Sequence, residues 1–100
     1  MAEQYLLTLT VAPAIEESLV DWLLENQGQV GFTSFPVNGH SSQPEGLSLA
    51  EQVAGRQKQV RFQIHLDAER VPTLLTQLRR DFAGAGLYYW VSPVLDTGRI

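Results

Sequence analysis

Polar and apolar residues alternate from the start of the chain. In EQYLLTLTV (residues 3–11), Tyr5, Leu7, Leu9 and Val11 share one parity and Leu6, Thr8 and Thr10 the other, the period of a β-strand. One parity is wholly apolar and the other mixed, so both faces of this strand are expected to be covered. Ala12-Pro13-Ala14 ends it, and a proline just inside a helix start is tolerated because its missing N–H has no intrahelical partner. Over residues 15–26 the spacing changes. Ile15, Leu19, Trp22 and Leu23 form one helical stripe, with Glu16 and Glu17 at the positive end of the macrodipole and Gly28 as a stop. Residues 30–37 (VGFTSFPV) predict a second strand, at a sheet edge or ending at Pro36, which cannot donate to a ladder. The pattern then fails over residues 38–54, which hold Gly39, Pro44, Gly46 and three serines. It returns at residues 57–65, where Val60, Phe62 and Ile64 alternate with Arg61, Gln63 and His65 as a third strand. Val71, Leu74, Leu75, Leu78 and Phe82 predict a second amphipathic helix over 68–82, with Asp67 as its N-cap and Arg79 and Arg80 near its negative end. A glycine loop over 83–86 leads into a fourth strand, LYYWV (87–91), and the tail from Ser92 is expected to be irregular.

The order β-α-β-β-α-β is that of an α+β, ferredoxin-like sandwich: a four-stranded antiparallel sheet with two helices on one face. The open face would carry Leu6, Thr8 and Thr10, with Arg61 and Gln63 beside them. From the fourth strand it takes either Leu87, Tyr89 and Val91 or Tyr88 and Trp90. Large aromatics on a face that the chain's own helices leave bare point to an interface, so a homo-oligomer packed sheet against sheet is expected. The competing expectation is that the C-terminal tail folds over that face. The connection over 38–54 is longer than the two to five residues of an ordinary hairpin, and structureless links of that size commonly carry function. Its plain alternative is an insertion without a role.

Composition narrows the classes. One hundred residues suit a single domain, 1–100, and the absence of Cys removes disulfide scaffolds, zinc ribbons, iron–sulfur sites and a cysteine nucleophile. A net charge of −4 argues against nucleic acid as a partner, even with an aromatic strand available for stacking. No apolar run nears the roughly 18 residues of a membrane span, and the N-terminus has no signal-peptide pattern. A cytoplasmic protein that is not itself membrane-inserted is expected. Catalysis is poorly supported. Ser41 and Ser42 adjoin His40 without an orienting third group, and Glu16 and Glu17 point about 100° apart on a helix. A non-enzymatic role follows. His40, with Glu45 and Glu51 nearby in sequence, is a candidate transition-metal ligand or a solvated loop histidine; His65 more simply ends a strand. Arg56, Lys58 and Arg61 form the one dense basic run, either a solvated strand entrance or an anion contact at the base of the long connection, to which Arg99 could add.

Several of these segments resemble one family. Gly31-Phe32-Thr33, Val37-Asn38-Gly39 and the long connection resemble the approach to the T-loop of PII signalling proteins. Gly84-Ala85-Gly86 before an aromatic strand is similar to the PII B-loop, and Thr97-Gly98 to the closing Thr-Gly of that family. GFTSFPVNGH, SLAEQVAGR and GLYYWVSPVLDTGRI look like a PII-like bacterial family of unknown function within the PII and CutA superfamily. The resemblance implies a trimer of ferredoxin-like subunits with ligand clefts between neighbours and a T-loop-like segment, 38–54, that docks on a protein partner. It also implies a link to heavy-metal efflux, a membrane efflux transporter being the natural partner. Carried over by position, Gly39, Gln43, Gly84, Gly86 and Thr97 become ligand-binding candidates, joined by Arg56, Lys58 and Arg99. The phosphate-holding cations are missing, however. Ser42 stands where PII proteins have an arginine, Leu87 where their glycine loop closes with lysine, and Val94 and Asp96 where arginines precede the final Thr-Gly. A charge-assisted hydrogen bond contributes roughly 1.5–3 kcal/mol, so weak or no ATP binding is expected. Backbone amides of the glycine loop can still hold some anion. No cofactor is required on this reading. The alternative that the superfamily offers is a CutA-like metal-tolerance protein, with a transition metal at His40.

Overall fold

The computed structural model describes residues 3–26, 31–40 and 56–100. Strand β1 (Gln4–Val11) leads through a 3-10 turn (Pro13–Ile15) into helix α1 (Glu16–Asn26). Strands β2 (Phe32–Gly39) and β3 (Gln57–Asp67) follow, then helix α2 (Arg70–Asp81) and strand β4 (Tyr88–Val94). The four strands form one antiparallel sheet in the order β2-β3-β1-β4. This is the ferredoxin-like arrangement that the element order predicts.

Parity decides which side of the sheet each residue serves. Leu7 pairs with Ile64 and Val91, and Leu9 with Phe62 and Tyr89, so one face is continuous across three strands. That face is closed by Leu19 and Leu23 of α1 and Leu74 and Leu78 of α2, all buried. Both helical stripes therefore face the sheet as their spacing requires.

The edges differ from expectation in instructive ways. β2 runs through Pro36 to Gly39, and β4 runs through Pro93 to Val94 instead of stopping at Val91. Each proline sits on an edge strand, where a missing N–H need not break a ladder. The part of the tail expected to be irregular thus begins only after Val94. β3 also continues past His65 to Asp67, because Leu66 keeps the buried parity of Val60, Phe62 and Ile64. Asp67 is consequently not the N-cap of α2. It ends β3 and accepts a hydrogen bond from the Gln4 amide, while Glu69 precedes the helix without a side-chain cap. Gly28, read as the stop of α1, and most of the connection over 38–54 lie outside the described residues.

Candidate functional site

The glycine loop is built by α2 running out of helical sequence. Phe82 N–H donates to Leu78 O at 2.8 Å, and Ala85 N–H to Phe82 O at 3.0 Å, which turns the chain back toward β4. Gly84 and Gly86 adopt φ of 78° and 79°, the left-handed region that residues with a Cβ avoid. Tyr88 then pairs with Thr10, so this loop lies at the Val11 end of β1.

The base of the long connection lies at the same end. β3 meets Val11 at Val60, and the β2–β3 ladder carries on beyond it through Val37–Gln59, Asn38–Lys58 and Gly39–Gln57. A two-stranded arm therefore projects past the four-stranded sheet, with exposed Lys58 on it and exposed His40 and Arg56 flanking its tip. Gln43 lies outside the described residues, as do Glu45 and Glu51. Thr97 and Arg99 are exposed in the tail after β4, whose last residue, Val94, pairs with Gln4 at the opposite end of β1. One chain thus brings Gly39, Arg56, Lys58, Gly84 and Gly86 to one end of the sheet and leaves Thr97 and Arg99 beyond the other. Among the described residues, no group of three His, Cys, Asp or Glu side chains is placed to hold a metal ion.

The register also settles the parity of β4. Leu87, Tyr89 and Val91 turn toward the helices, and Tyr88 and Trp90 stand on the open face. There Arg61 donates from Nε to Thr10 Oγ1 at 3.1 Å and lies with its guanidinium 4.9 Å from the Trp90 ring centroid. Trp90 also meets Tyr88 edge-on at 6.1 Å. Thr8 and Thr10 are buried on this side, although no helix among the described residues covers it. Phe35, Tyr88 and Trp90 remain 37%, 68% and 39% exposed. The tail does not fold over them: Leu95 and Ile100 are themselves exposed.

On the helix side, the end of α2, the glycine loop and β4 enclose an open cleft of about 400 Å³. Leu75, Leu78, Phe82 and Leu87 line it, with Tyr89 and Arg79 at its polar margin. Arg79 donates to Tyr89 Oη at 2.8 Å. The sequence marks Arg79 only as a cation near a helix C-terminus; its place one turn after Leu75 on the apolar stripe is the signal that sets it beside a cleft.

Comparison with known proteins fits this architecture. A family model for proteins of unknown function, DUF3240, matches residues 1–100. The chain belongs to this family. A DUF3240 protein of Shewanella baltica OS155, solved by crystallography, is 25% identical with a TM-score of 0.79, covering 100% of this chain and 99% of that one. Arabidopsis thaliana PII bound to citrate is 18% identical, TM-score 0.72, over 99% of this chain and 84% of that one. CPII of Thiomonas intermedia K12, a nitrogen regulatory PII-like protein bound to ADP, AMP and bicarbonate, is 19% identical, TM-score 0.69, over 97% and 96%. None of the curated proteins matches the chain. This DUF3240 chain therefore has the fold of PII-like proteins, as its segments suggested. No helix among the described residues is long and apolar enough to cross a membrane.

Proposed function

We propose that this DUF3240 protein is a non-catalytic regulatory protein of the PII type, acting in the cytoplasm as a trimer. It binds a small anionic ligand between subunits and docks on a protein partner through residues 38–54. The observation that carries this reading is the shared end of the sheet: a glycine loop with two left-handed glycines and a basic two-stranded arm that leads into the long connection. Successive backbone N–H groups of such a loop suit an anion. Arg56 and Lys58 supply positive charge, and Thr97 and Arg99, remote within one chain, reach a site only from a neighbouring copy. Proteins of the same fold hold citrate in one case and ADP, AMP and bicarbonate in another. With Leu87, Val94 and Asp96 where phosphate-binding cations would stand, a compact anion is favoured over a triphosphate. A membrane efflux transporter for heavy metals is the partner class that the resemblance implies.

Isothermal titration of the full chain with bicarbonate, citrate, ADP and ATP tests the ligand. Saturable binding of a small anion that weakens at least about tenfold in Arg56→Ala/Lys58→Ala, with ATP much weaker, is the expected result. Micromolar ATP binding, or no anion binding at all, would contradict it. For the partner, a pull-down with a variant lacking residues 39–51 should lose docking while assembly persists. A stoichiometric metal site abolished by His40→Ala would replace this reading with a CutA-like, metal-binding one.

A further inference from the structure

The cleft beside α2 borders the glycine loop, with Gly84 and Gly86 on its rim, and offers a second chemistry there, an apolar floor beside a guanidinium. Its volume, about 400 Å³, falls in the range of small-ligand sites, which are typically apolar with a few convergent polar groups. Its floor is Leu75, Leu78, Phe82 and Leu87. Its charged group is Arg79, held over Tyr89 with the guanidinium 5.6 Å from the ring centroid and hydrogen-bonded to the phenol oxygen. A guanidinium has five N–H donors, and among the described residues no carboxylate pairs with this one. The neighbouring Arg80 differs in this respect, since its Nε reaches Asp81 at 2.8 Å.

We infer that this cleft binds a small carboxylate with an apolar body: the hydrocarbon lies against the leucines and Phe82, and the carboxylate meets Arg79 at the mouth. The charge complementarity selects this occupant over a neutral hydrocarbon, because a carboxylate supplies the partner that Arg79 lacks. The Arg79–Tyr89 contact favours an orientation of the guanidinium over the ring, which lowers the ordering cost of binding. The cleft is formed within one chain.

Octanoate and octanol serve as probes in an NMR titration of the full-length, isotopically labelled protein. Octanoate should bind saturably and shift the resonances of Leu75, Leu87 and Tyr89, and Arg79→Gln should weaken it about tenfold while leaving octanol unchanged. Ala83→Phe, which places a ring at the exposed rim, should block both probes. Absence of saturable octanoate binding, equal affinity in Arg79→Gln, or shifts confined to other regions would overturn the inference. So would a change in particle mass in either variant without a change in octanoate affinity, because the cleft would then be a contact between proteins. The titration with bicarbonate and citrate above reads dependence on Arg56 and Lys58 and this one dependence on Arg79, so either proposal can fail alone although both sites border the glycine loop.

Discussion

Arg61 shows how single residues manage a sheet face that no helix among the described residues covers. Its cross-strand neighbour is Thr10, and Trp90 stands opposite Thr8 one strand further on. By lying against the Trp90 ring and donating to Thr10 Oγ1, Arg61 roofs the two threonines with its own stem and the indole. Small polar residues in the central strand and large ones beside them leave Thr8 and Thr10 buried under aromatics that stay exposed. The glycine loop is the other place where one residue decides the local structure. A Cβ at Gly84 or Gly86 meets no heavy atom within 4 Å, so the requirement there is backbone conformation and not space. Gly84→Ala and Gly86→Ala should each destabilise the fold by about 1–2 kcal/mol, read as a lower urea midpoint with an unchanged slope. An unchanged midpoint would mean that the loop relaxes at no cost.

At the scale of elements, the two helices are tied together by Trp22 and Asp81. The indole N–H donates to Asp81 Oδ2 at 2.7 Å, and the ring meets Phe82 edge-on with centroids 5.8 Å apart. Hydrogen bonds from the Arg80 guanidinium and from Trp22 hold the Asp81 carboxyl at about 2, below its ordinary 3.8. Because the folded value is depressed, the stability it contributes is complete above the ordinary carboxylate range and is lost as pH falls through about 2. Asp81→Asn should therefore lower the melting temperature at pH 7 and flatten its fall between pH 4 and pH 2 relative to wild type, with the difference shrinking in high salt. Parallel pH profiles for the two proteins would show that the contact carries no weight. The helices and strands were legible because their apolar spacing repeats over many residues: Val71, Leu74, Leu75, Leu78 and Phe82 admit one helical face. The parity of β4 was not, since Leu87, Tyr89 and Val91 compete with Tyr88 and Trp90 for burial on nearly equal terms. Asp67 misled as a helix cap because a short polar residue before a helix also suits a strand end. Of the candidate site, the glycine loop was legible as a motif, whereas the cleft at Arg79 depends on how α2 meets β4, which no local pattern states.

The whole molecule presents two unlike surfaces. One side is a finished core of sheet and helices, and the other exposes Phe35, Tyr88 and Trp90 around a central roofed patch. Prolines on both edge strands discourage strand addition, and the proposed trimer takes the open face as the contact between copies. Sedimentation equilibrium on wild type and Trp90→Asp is the most direct measurement of this account. It should return the mass of three chains for wild type and of one for the variant, whose carboxylate would be desolvated in the contact. A wild-type particle with the mass of a single chain across the micromolar range would contradict it.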